Sequence, residues 1–140
     1  MRAYFSRRYR FSASHRLHSE AYSDAENRAT YGKCNNPHGH GHNYILEVTA
    51  GGQVDPATGM VCDMVKLDDA VSKKIISRFD HANLNLDEGF REVVPTTENL
   101  CVAVHEELHP VFASGELGAV DLVRVRVEET TNNSFEYSGI

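Results

Sequence analysis

Apolar and polar residues alternate with a period of two near the start of the chain. From Phe5 to His15 the odd positions read Phe5, Arg7, Tyr9, Phe11, Ala13 and His15, whereas the even ones are mostly Ser and Arg. Such alternation puts each set on its own face of a pleated strand and predicts a half-buried strand here. Its apolar face ends in a histidine. A second alternation, His40, His42, Tyr44, Leu46 and Val48, predicts a strand whose apolar face begins in histidines. Val120 to Glu129 predicts another, with Val123, Val125 and Val127 on one face, and a last short strand is expected over Ser134 to Ser138. The DPATG run (Asp55 to Gly59) is a turn, with MVCDM (Met60 to Met64) read as a short strand after it.

Between these segments the period changes. Leu67, Val71, Ile75 and Phe79 form one stripe at helical spacing, predicting a helix over Val65 to Phe79. A second helix is predicted from PTTEN, where Pro95, Thr96 and Glu98 suit a helix start. Leu100, Val104 and Leu108 are its buried stripe, and Pro110 is expected to end it. Strands, two helices and strands in that order predict an α+β domain, an antiparallel sheet with helices on one face. No repeat or linker divides it, so residues 1–140 are read as a single domain. Residues 18–37 are polar and read as a long loop with a short helix, and loops of that length are usually functional.

Charge and cysteine content narrow the classes. The 140 residues are 41% hydrophobic and carry a net charge of −6, which argues against nonspecific nucleic-acid binding. No apolar run approaches the ~20 residues of a membrane span, and the basic start MRAYFSRRYRF lacks the apolar core of a secretion signal. Three cysteines without paired spacing fit a reducing compartment, so a cytoplasmic location is expected.

The chemistry concentrates in CNNPHGHGHNY, Cys34 to Tyr44. On a strand His38 and His42 would lie ~13 Å apart at ~3.3 Å per residue, so one ion cannot take all three histidines. Adjacent members can share an ion, which leaves the 38/40 pair or the 40/42 pair. His15 is the natural third ligand, because it ends the apolar face of the partner strand. Three imidazoles and an open position suit a catalytic zinc site. Cys34, in the loop before them, is then a candidate base or nucleophile whose thiolate a nearby cation would favour. Cys62 and Cys101 read as core residues.

Asp80 and His81 fall where the first helix stops, as a cap or as an acid/base pair. Glu129 is in phase with Val123, Val125 and Val127, so it faces inward and needs a partner. That partner is either a cationic or backbone donor of the protein, or a ligand edge with two adjacent N–H groups.

FSASHRL, CNNPHGHGHNY, DPATGMV, FDHANLN, PTTEN and VEETTNN occur in this order along nearly the whole chain. Together they closely resemble the 6-pyruvoyl-tetrahydropterin synthase family. The resemblance implies the tunnelling fold, a four-stranded antiparallel sheet with two helices that oligomerises into a barrel. It also implies a homohexamer, a dimer of trimers, with active sites at subunit interfaces. The substrate implied is 7,8-dihydroneopterin triphosphate, converted to 6-pyruvoyl-tetrahydropterin with loss of triphosphate by a zinc-dependent phosphorus–oxygen lyase of tetrahydrobiopterin biosynthesis.

By the same resemblance His15, His40 and His42 are the Zn²⁺ ligands, because Asn43-Tyr44 follow the second glycine-spaced pair, and His38 is an extra. Cys34 matches the catalytic cysteine, Asp80 and His81 the acid/base pair, and Glu129 the glutamate that holds the pterin edge. Thr96, Thr97 and Glu98 match a segment near that pocket. The family commonly has aspartate where Thr131 stands. A sister group, 6-carboxy-tetrahydropterin synthase of the queuosine pathway, spaces its motif as Cys-x-x-x-His-Gly-His, which His38 and His40 also satisfy. The CNNP loop, the HNY frame and the ETTNN end favour the pyruvoyl enzyme.

Overall fold

The computed structural model describes residues 1–139. Strand β1 (Arg2–His15) is followed by α1 (Asp24–Tyr31), a 3₁₀ turn (Gly32–Asn35) and β2 (His40–Gln53). Helix α2 starts as an α-helix (Met64–Val71), passes through a π-helical stretch (Ser72–Ile76) and ends in one α-turn (Ser77–Phe79). Strand β3 (Ala82–Asn83) and two 3₁₀ turns lead to α3 (Thr97–Ala113), β4 (Val120–Thr130) and β5 (Asn133–Tyr137).

The sheet order is β3-β1-β2-β4-β5. β1, β2, β4 and β5 are the expected antiparallel strands, and β3 adds a two-residue parallel pairing against Ala13 and Ser14. The β1–β2 ladder is unbroken from Arg2↔Gln53 to His15↔His40. Both alternating sets therefore stay in phase, and Phe11, Tyr44, Leu46, Val48, Val125 and Val127 all point into one core. The stripes Leu67, Val71, Ile75, Phe79 and Leu100, Val104, Leu108 cover that face and are themselves fully buried. No described helix is long and apolar enough to cross a membrane.

Two local expectations change, and a third, the short helix within residues 18–37, holds. MVCDM is not a strand: Asp63 caps α2 by accepting from Lys66 N–H at 3.1 Å, and its own N–H bonds to Leu117 O at 3.1 Å. Pro110 does not end α3, which runs on to Ala113. Pro110 is exposed, so the carbonyl one turn earlier that loses its donor can turn to solvent. The long loop contains α1, started by a capping box in which Ser23 and Glu26 serve each other's backbone N–H groups. Asn27, buried beneath it, bonds to the backbone of Ser19, Tyr22 and Ser23 and closes the loop on itself.

Candidate metal centre

His15 and His40 face each other across the β1–β2 ladder, and His42 lies diagonally beyond, opposite Ala13. All three project to the helix-covered side, where their ring centroids are 4.7–5.1 Å apart. One potential ligand atom from each lies within 4.8 Å of the others. His38 stands before the strand, exposed, its backbone N–H donating to Asn36 Oδ1 at 3.1 Å. It does not join the group.

The polarity of the rings points to a cation. His15 Nδ1 is 2.7 Å from Pro95 O. A carbonyl only accepts, so Nδ1 carries the proton and Nε2 keeps its lone pair. His15 Nε2, His40 Nδ1 and His42 Nε2 are all buried without a hydrogen bond among the described residues. Three orphaned imidazole nitrogens in one place are costly unless something accepts their lone pairs. Burial is the main cause that pushes the pKa of His15 and of His42 down, which favours the neutral, ligating form. The donor set fits Zn²⁺ or a neighbouring transition metal with an open coordination position.

Glu129 sits beside this group. It falls at a break in the β4–β5 register between Glu128 and Thr130, and, in phase with buried Val127, its carboxylate faces inward. Thr97, at the start of α3 and buried, donates its hydroxyl to Glu129 Oε2. Glu129 Oε1 lies 3.3 Å from His42 Nε2, out of line for a hydrogen bond. The inward carboxylate thus has a hydroxyl partner, not the lysine, arginine or backbone donor that the sequence left open. Thr96 is the N-cap of α3 and accepts from Asn99 N–H at 3.2 Å, while Glu98 is exposed. Thr131 is exposed at the β4–β5 turn, and nothing in the structure explains its departure from aspartate.

Cys34, in the 3₁₀ turn, is half-buried. Burial first, and the Glu129 carboxylate second, push its thiol up from the ordinary value. Its carbonyl accepts from Leu17 N–H at 2.7 Å, and the neighbouring Asn35 amide donates to Leu17 O at 2.7 Å. Asn85 grips the backbone of Arg16 from the other side, at 2.7 Å through its oxygen and 2.8 Å through its nitrogen. The segment after His15 is therefore held between the Cys34 turn and the loop that follows β3. Sequence reading missed Pro95, Asn35 and Asn85 in these roles, because none is marked by a pattern within its own segment.

Asp80 and His81 follow α2 directly. Asp80 accepts from Ser12 N–H at 2.9 Å, and its other oxygen lies 3.2 Å from His81 Nδ1. The bond from Ser12, then the nearby His81, hold its carboxyl below the usual value. His81 has φ 59°, the one non-glycine residue described in the left-handed region. Strain of that kind persists where surrounding bonds fix it and gathers at functional positions. The imidazole is exposed and borders a cleft of ≈ 350 Å³ with Ser12, Ser14, Gly41 and Asn43. Those four positions are out of phase with the histidine ligands.

An antiparallel sheet backed by two long helices, with three imidazoles converging at one end, defines a tunnelling-fold protein with a histidine group that could hold a metal ion. The family model of 6-pyruvoyl tetrahydropterin synthase matches residues 4–139. The human 6-pyruvoyl tetrahydrobiopterin synthase is 47% identical over 138 residues, covering 98% of this chain and 92% of that one. The solved Caenorhabditis elegans 6-pyruvoyl tetrahydropterin synthase superposes with a TM-score of 0.91 at 44% identity, covering 100% of this chain and 97% of that one. A protein of Archaeoglobus fulgidus named as a candidate 6-carboxy-5,6,7,8-tetrahydropterin synthase is 34% identical over 111 residues, 79% of this chain and 84% of that one. The chain belongs to the 6-pyruvoyl tetrahydropterin synthase family.

Proposed function

We propose that this protein converts 7,8-dihydroneopterin triphosphate to 6-pyruvoyl-tetrahydropterin and triphosphate, with Zn²⁺ held by His15, His40 and His42. The observation that carries the reading is the convergence of three orphaned imidazole nitrogens beside the Glu129–Thr97 pair. When bound, Zn²⁺ supplies Lewis acidity toward the two side-chain hydroxyls of the substrate and so acidifies the adjacent C–H bonds. Glu129, held by Thr97, accepts the paired N–H groups of the pterin edge and fixes the ring. Cys34 takes a proton from the side chain as thiolate. Its raised pKa makes that step depend on positive charge brought close to it. His81, oriented by anionic Asp80, returns a proton elsewhere. The side chain is oxidised as the ring is reduced, and triphosphate leaves, so no external redox partner enters the balance.

The enzyme works as a homohexamer of two stacked trimers in the cytoplasm. The outward edges of β5 and of most of β1 have no strand partner among the described residues, as sheets that close into a barrel between subunits require. All three cysteines are free, which suits a reducing compartment.

Product analysis by mass, after incubating the zinc-loaded protein with 7,8-dihydroneopterin triphosphate, tests the reading. A 6-pyruvoyl product with released triphosphate is expected. A 6-carboxy product with acetaldehyde, or no turnover with zinc bound, overturns it.

A further inference from the structure

Helix α3 carries a second histidine pair that the centre above does not use. The run HEELH, His105 to His109, sets two imidazoles four residues apart and therefore on one face of the helix. Their ring centroids are 5.7 Å apart, with the planes inclined by only 21°. His105 is 6% exposed, and its ring makes no hydrogen bond among the described residues. Its contacts are instead the ring of Tyr137, at 5.0 Å and 80°, and the backbone of Gly139, where an added Cβ would stand 2.9 Å from Cε1. The pair opens on a groove of ≈ 410 Å³ between α3 and the end of β5, bordered also by Glu106 and Tyr137. Burial first, then His109, push the pKa of His105 down, so its ring is neutral and able to ligate.

We propose that His105 and His109 form an accessory site for a divalent transition metal of the Zn²⁺, Ni²⁺ or Cu²⁺ class, with solvent completing the coordination. Imidazole is the ligand these ions share, and side chains at i and i+4 lie on one helix face, so rotation of the two stacked rings can bring both onto one ion. Hydrolysis of the kind a His-Glu-x-x-His helix supports elsewhere is not part of the proposal, because such centres need a third protein ligand. Among the described residues the only group of three potential ligands is His15, His40 and His42. The carboxylate of Glu106 on the groove wall adds favourable charge without that geometry. An ion bound here only in the folded state stabilises that state by mass action.

Equilibrium dialysis against Zn²⁺ with elemental analysis tests the site independently of the first one. Wild type is expected to hold one equivalent more than His109→Ala, and His40→Ala to lose the other equivalent. His38→Ala should bind as wild type does. Zn²⁺ beyond the first equivalent should raise the Tm of wild type and leave that of His109→Ala unmoved. His109 is exposed, so the variant is expected to fold, and His109→Gln repeats the measurement with a side chain of similar size. Equal stoichiometry in wild type and His109→Ala, or loss of the extra equivalent in His38→Ala, overturns the proposal.

Discussion

The three-histidine centre and the Asp80–His81 pair are built against the same end of β1, yet they are opposites in construction. His15 is 1% exposed and His40 and His42 stand beside it, with all three on the face that the helices cover. The His81 side chain is 83% exposed and borders Ser12, Ser14, Gly41 and Asn43, the positions of the other phase. One group is enclosed by its own chain, and the other is held rigidly outward. A carboxylate that takes a backbone N–H from the sheet and a histidine at positive φ are costly to arrange for an idle surface. The contrast fits the proposed function, in which another copy of the chain would present Asp80 and His81 to the enclosed site.

The strongest way to break this comparison is to remove the enclosed group. His40→Ala should lose the three-histidine zinc equivalent and turnover together, whereas His38→Ala should keep that equivalent, as elemental analysis and product assay will read. Equal loss from both would mean the wrong histidines were placed together. Cys34→Ala should keep zinc and lose turnover by roughly 10²–10⁴-fold, the usual range for a proton-transferring side chain.

His81→Ala tests the outward group. Turnover should fall roughly 10²-fold with Tm unchanged, because the ring is exposed. Co-assembling His81→Ala with Cys34→Ala should then recover activity in mixed oligomers, since some sites would draw an intact Cys34 and an intact His81 from different chains. No recovery in verified mixed oligomers would place both groups in one chain. Glu129→Gln should lower kcat/KM about 10- to 100-fold, as expected from losing a hydrogen bond to a charged group worth about 1.5–3 kcal/mol, with zinc retained.

The smallest effect concerns the loop after β3, which Arg78 ties to α2 through Asp87 at 2.7 and 2.8 Å. Arg78 holds the Asp87 carboxyl below its ordinary 3.8. The folded-state value is thus the lower one, so the stabilisation is complete above about pH 4 and fades as pH falls through the folded value. Asp87→Asn should cost about 1–2 kcal/mol near neutral pH and flatten the acid limb of the stability profile in urea titrations. An unchanged acid limb would assign that stability elsewhere.

Much of this was legible residue by residue. The phases of β1 and β2 and the stripes of α2 and α3 could be read because a pleat and a helical turn are local geometries that repeat along the chain. The S-x-x-E pattern of Ser23 and Glu26, which the sequence reading passed over, is a local signal of the same kind. MVCDM misled because its alternation is real, but Asp63 is worth more as a helix cap than as a strand residue. Pro110 misled because it lies on the exposed side of α3, where the carbonyl of Glu106 that it deprives of a donor can tilt out to water.

By itself, then, the sequence determined which residues share a face, and with that the possibility that His15, His40 and His42 meet. It also determined that Glu129 turns inward, since its alternation with Val127 is a property of one strand. Only the tertiary structure decided that His15 stands opposite His40, that Pro95 O sets the tautomer of His15, and that Thr97 is the partner of Glu129. The same holds for His105, buried against β5 by residues about thirty positions later. The physical reason is range. Facing is set by backbone geometry over a few residues, whereas register, tautomer and partner are set by contacts between segments that only the folded core brings together.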